Sequence, residues 1–134
     1  MKSKDRWTKS ATAVYNLGYH IIWCPKYRRG VLTGKIAERL EEIVNEKADE
    51  LNCNVASLEI MPDHVHLFIK VPPTIAVHFL IQQIKGSSAR VLRDEFPSLR
   101  SKLPCMWTRS YYAESVGCIS EETVVRYIEN QKNK

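Results

Sequence analysis

A chain of 134 residues, 44% apolar and 26% charged, is long enough to bury one core and too apolar to be disordered. It has no apolar run of membrane-spanning length, no signal-peptide h-region at Met1–Trp7, and no CxxC motif among Cys24, Cys53, Cys105 and Cys118. The expectation is one cytoplasmic domain over residues 1–134 with reduced thiols and no membrane association.

The net charge of +5 is unevenly spread. Residues 1–35 hold Lys2, Lys4, Arg6, Lys9, Lys26, Arg28, Arg29 and Lys35 against Asp5 alone. Residues 85–109 hold Lys85, Arg90, Arg93, Arg100, Lys102 and Arg109 against Asp94 and Glu95, while 36–51 is acidic. One positive face and one solvated face follow, with nucleic acid the first partner to consider and a soluble basic protein the plainer reading.

In chain order, residues 1–16 are polar and read as frayed. Tyr19 to Cys24 is β-branched and aromatic between Gly18 and Pro25, so it reads as a strand. Pro25 to Gly30 is a basic loop. Ile36, Leu40, Ile43, Val44, Ala48 and Leu51 recur at helical spacing and predict an amphipathic helix over 35–51. Val55 to Met61 and His64 to Val71 are strands joined by a turn at Pro62 and Asp63. In the second of these, Val65, Leu67 and Ile69 face one side, and His64, His66 and Phe68 face the other. Thr74 is placed to cap a helix over 75–94 that Gly86, within Lys85 to Arg90, either kinks or opens to close approach. Phe96 and Pro97 end it, and 98–109 reads as loop or ragged helix. Tyr111 to Val116 is a strand, and Ser120 caps a last helix. The order β-α-β-β-α-β predicts an α+β, ferredoxin-like (RRM-like) antiparallel sheet with helices on one face, and the C-terminal helix is an addition.

Two pairs in this sequence carry chemistry. His64 and His66 leave one face of a strand, and Tyr127 and Gln131, four apart, share one face of a helix. Two imidazoles and an amide oxygen can hold a divalent cation, and a phenol beside it can attack phosphorus. Taken singly, an HxH pair also suits hydrogen-bonded structural histidines, and a helical tyrosine suits a core or rim. His20 and Asp63 are polar groups able to support the histidines from behind. Lys26, Arg28 and Arg29 form a basic loop. Lys85 and Arg90 with Ser87 and Ser88 resemble a phosphate clamp, and Arg109 extends the charge. Trp107, Tyr111 and Tyr112 suit either base stacking or core packing.

The segments Tyr19–Arg28, Met61–Leu67, Lys85–Arg90, Trp107–Tyr111 and Tyr127–Gln131 resemble the single-tyrosine HUH transposases (TnpA) of small bacterial and archaeal insertion sequences, from about residue 17 to 132. The resemblance implies that His64, His66 and Gln131 bind Mg²⁺ or Mn²⁺. It implies that Tyr127 cleaves single-stranded DNA with hairpin ends through a 5′-phosphotyrosine, that the enzyme is a homodimer, and that Gly117 is a hinge. Two other readings stand beside it: a domesticated relative that processes chromosomal repeat hairpins, and a non-catalytic module for single-stranded nucleic acid.

Overall fold

The computed structural model describes residues 8–9, 14–116 and 128–129. Of the expected last helix only residues 128–129 are described, and they are helical; Ser120, Tyr127 and Gln131, and the Gly117 hinge, lie outside the described residues.

Two short strands, β1 (Thr8–Lys9) and β2 (Val14–Tyr15), pair antiparallel, so the N-terminal segment expected to be frayed contains a small ladder. The main sheet holds β3 (Gly18–Trp23), β4 (Asn54–Met61), β5 (His64–Lys70) and β6 (Tyr112–Val116) in the order β4-β5-β3-β6, antiparallel throughout. Helix α1 (Gly34–Glu50) follows β3 and α2 (Val77–Glu95) follows β5. This is the split β-α-β arrangement that the sequence pattern predicted.

Strict alternation along β5 divides the molecule. Val65, Leu67 and Ile69 are fully buried, and His64, His66, Phe68 and Lys70 are half-buried on the opposite face. Ile21 and Trp23 of β3 join the buried side, where Leu40, Ile43 and Val44 of α1 meet Leu80, Ile81, Ile84 and Leu92 of α2. Both helices therefore cover one face, and the histidines stand on the other.

A kink and a cap expected in α2 are corrected. The helix runs unbroken through Gly86, because Leu80, Ile84, Ser88 and Leu92 keep a buried stripe in phase on both sides of the glycine, and of the two readings of Gly86 only the room for close approach remains. Packing outweighs a helix-propensity cost of about 1 kcal/mol. Thr74 is not its cap: the helix starts after Ala76, with no side-chain cap bond. Residues 98–109, expected as loop or ragged helix, hold most of a short helix α3 (Pro97–Lys102) and then an irregular, bent stretch in which Trp107 bridges antiparallel to Pro25.

Candidate active site

Cross-strand register assembles the site on the open face. Opposite His66 stand Glu59 on β4 and Ile22 on β3; opposite His64 stands Met61; opposite Phe68 stands His20. On the far side of β3, Tyr112 and Glu114 share the same face, opposite Ile22 and His20.

Each site histidine has a carboxylate at Nδ1. The Nδ1 of His64 lies 2.9 Å from Asp63 Oδ1, and the guanidinium of Arg28 donates to the other oxygen of Asp63 at 2.8 Å. The hydrogen bond from His64, reinforced by the charge of Arg28, holds the Asp63 carboxyl below its usual range, so it stays ionised. On His66, Nδ1 lies 3.4 Å from Glu59 Oε1. A carboxylate favours a proton on the nitrogen it faces. Both rings are thereby biased to the tautomer with Nδ1–H and a lone pair on Nε2, the form a metal-ligating histidine adopts. Glu59 was not among the sequence candidates; its place opposite His66 depends on register, which no local pattern discloses.

The Nε2 of His66 makes a 3.1 Å hydrogen bond with Nδ1 of His20. The His20 ring stacks on Phe68, centroids 4.6 Å apart and planes 19° from parallel. Below that stack is Gly18, where a Cβ would come within 3.0 Å of the Phe68 ring. Arg28 reaches Asp63 from a tight turn, Lys26–Arg28, in which Tyr27 (φ 60°) and Arg28 (φ 50°) take left-handed backbone conformations. Among the described residues, no three histidine, cysteine or acidic side chains converge as a cation cage. The other two residues expected in the site, Tyr127 and Gln131, lie outside the described residues.

The basic candidates separate by role. Arg28 is engaged with Asp63. Lys85 is half-buried and donates to the carbonyls of Thr108 (2.7 Å) and Ser110 (3.3 Å), with its ammonium 6.0 Å from the Tyr111 ring centre. Burial pushes its pKa down, partly offset by Cys105 and Cys24 nearby. It pins the strand-entry segment rather than projecting as a free clamp. Lys26 is half-buried; Arg29, Arg90 and Arg109 are exposed, and Ser87 is half-buried. Next to it, Ser88 is fully buried, donating to the Ile84 carbonyl (2.6 Å) and accepting from Trp107 Nε1 (3.0 Å). Trp107 is thus core, Tyr111 is half-buried, and Tyr112 is exposed on the histidine face.

Known proteins bear on this arrangement. The family model described as "Transposase IS200 like" matches residues 13–131. The chain is 38% identical to the ISDra2 transposase TnpA of Deinococcus radiodurans over 123 residues, 90% of this chain and 88% of that one. It is 30% identical to the transposase for insertion sequence element IS200 of Salmonella typhimurium, over 77% of this chain and 69% of that one. Among solved structures, it is similar to a candidate transposase from Deinococcus radiodurans R1 (TM-score 0.76, 35% identity, 92% of this chain and 97% of that one). A REP-associated tyrosine transposase bound to a REP hairpin shares the fold at 12% identity, with a TM-score of 0.59 over 99% of this chain and 74% of that one. With identity at this level across nine-tenths of its length, and the family model spanning the whole sheet and both its helices, the chain belongs to the IS200-like transposase family and is a DNA transposase.

Proposed function

We propose that the protein cuts and rejoins single-stranded DNA at the hairpin-bearing ends of an insertion sequence, through a 5′-phosphotyrosine on Tyr127. The observation that carries this reading is the pair of strand histidines, each with a carboxylate at Nδ1 that biases its lone pair to Nε2, on the face that the helices leave open. His64, His66 and Gln131 would hold Mg²⁺ or Mn²⁺; the ion would neutralise charge on the scissile phosphate.

The chain's own groups then do the following. The Tyr127 phenol attacks phosphorus to form the tyrosine–phosphate bond as the P–O3′ bond breaks; the phenol's proton is made up on the departing 3′-oxygen, which leaves as a 3′-hydroxyl. A 3′-hydroxyl from a second DNA end later attacks the phosphotyrosine and regenerates the phenol. One phosphodiester is exchanged for another, so no nucleotide cofactor is consumed. Asp63 and Glu59 keep the imidazoles oriented, and the hydrogen bond from His64, with the charge of Arg28, keeps Asp63 ionised. Lys26, Arg29, Arg90 and Arg109 supply positive charge for the backbone of the strand. We assign the active form to a homodimer acting in the cytoplasm. No helix among the described residues is long and apolar enough to cross a membrane.

The likeness to a REP-associated transposase keeps a second reading in play, a domesticated enzyme acting on chromosomal hairpins. The 38% identity to an insertion-sequence transposase, against 12% to the REP-associated protein, favours the mobile element.

Covalent capture tests the proposal. Labelled single strands tiled across the DNA flanking the gene, incubated with protein and Mg²⁺ or Mn²⁺, should give a band shifted on a denaturing gel. Tyr127→Phe and chelator should each abolish it while binding persists. An adduct of normal yield from Tyr127→Phe would sink the assignment.

A further inference from the structure

Both ring nitrogens of His66 are engaged: Nε2 with His20 at 3.1 Å and Nδ1 facing Glu59 at 3.4 Å. Three adjacent strands, β4, β5 and β3, are thus linked through one imidazole. Glu59 favours the proton on Nδ1 of His66, so Nε2 accepts and Nδ1–H of His20 donates. The contact with His20 is diagonal, since His20 stands opposite Phe68 and Ile22 stands opposite His66. The contact therefore lies on the Phe68 side of His66 along β5. His20 is itself held, stacked on Phe68, which lies over Gly18.

A lone pair takes one partner. While His20 donates to it, Nε2 of His66 has none to offer a cation, and the bond lengths do not let both stand on the same axis. We propose that His20 is a clasp that holds His66 out of the metal-binding arrangement until a divalent cation displaces it. The inference rests on the reading of His64 and His66 as ligands. The exchange leaves both rings neutral: His66 keeps Nδ1–H against Glu59, and His20, released to water, relaxes to its commoner Nε2–H form. The protein therefore binds its cation more weakly than its ligands alone dictate, and loading moves His20 as well as His66.

Two measurements on the full chain decide it. Long-range ¹H–¹⁵N spectra of the metal-free protein, at a fixed pH where the imidazoles are neutral, should show His66 protonated at Nδ1. They should show His20 in the less common Nδ1–H form, reverting when Mg²⁺ is added. His20 in the Nε2–H form throughout would overturn the clasp. Mn²⁺ titration followed by electron paramagnetic resonance should give about fivefold tighter binding for His20→Ala, the worth of one net hydrogen bond. Weaker binding would make His20 a ligand, and unchanged binding would deny it any hold on His66; each overturns the proposal. His64→Ala separates the two levels of argument. If it binds Mn²⁺ as the parent does, the metal reading itself has failed. If it loses Mn²⁺ while His20→Ala stays unchanged, the clasp alone has failed.

Discussion

At the scale of single residues, a histidine's value lies in which nitrogen is free, and two acidic side chains set that here. Asp63 is adjacent in sequence to His64 and so was legible as a supporting group. Glu59 was not: it lies seven residues from His66 in sequence and meets it only because the hairpin turn sets β4 against β5 in one register. His20 was legible as a polar residue of interest, but its partner is 46 residues away. Asp63→Asn keeps an acceptor for His64 Nδ1–H but removes the charge that fixes the tautomer and the ion pair with Arg28. Mn²⁺ affinity measured by titration should fall by about tenfold, the lower end of what such outer partners are worth. Affinity equal to the parent's would show that the carboxylate does not orient the ring.

Among the elements, β5 was read from its sequence because a period of two is a local property. Of the two readings of Gly86 in α2, the kink is overturned, because buried side chains on both sides of the glycine hold the helix straight through it, while the room for close approach remains. A Cβ added at Gly86 would meet nothing within 4 Å, and the residue is exposed. Gly86→Ala should therefore stabilise the fold by about 1 kcal/mol in a urea titration. If the helix backbone here is approached by a sugar-phosphate chain, the same change should loosen oligonucleotide binding; unaltered binding would take Gly86 off the DNA surface. Two residues on, Ser88 couples α2 to the segment leading into β6. Its hydroxyl is the partner of the buried Trp107 indole N–H, so Ser88→Ala leaves that donor unsatisfied. A loss of about 1–3 kcal/mol in unfolding free energy is expected. A variant as stable as the parent would mean that Trp107 finds another acceptor. Lys85 taught the opposite lesson to its sequence context: among serines and a glycine it suggested a phosphate clamp, yet its ammonium is committed to two backbone carbonyls.

Across the whole molecule, one sheet serves two purposes from its two faces. The helices take one face, and the histidines with their carboxylate partners stand on the other. The fold class was legible because the order of elements and the hydrophobic alternation agree with each other. The constellation that spans strands was not, because it depends on register. That register makes the site intolerant of length change. Inserting one residue at the Pro62–Asp63 turn and carrying the shift through β5 would turn His64 and His66 into the core and Val65, Leu67 and Ile69 out to water. An insertion library across residues 54–71, sorted separately for soluble expression and for adduct formation, should lose both together. Substitution at His64 should lose only the second. Evolution can therefore change the histidines of this enzyme one letter at a time, but it cannot slide them.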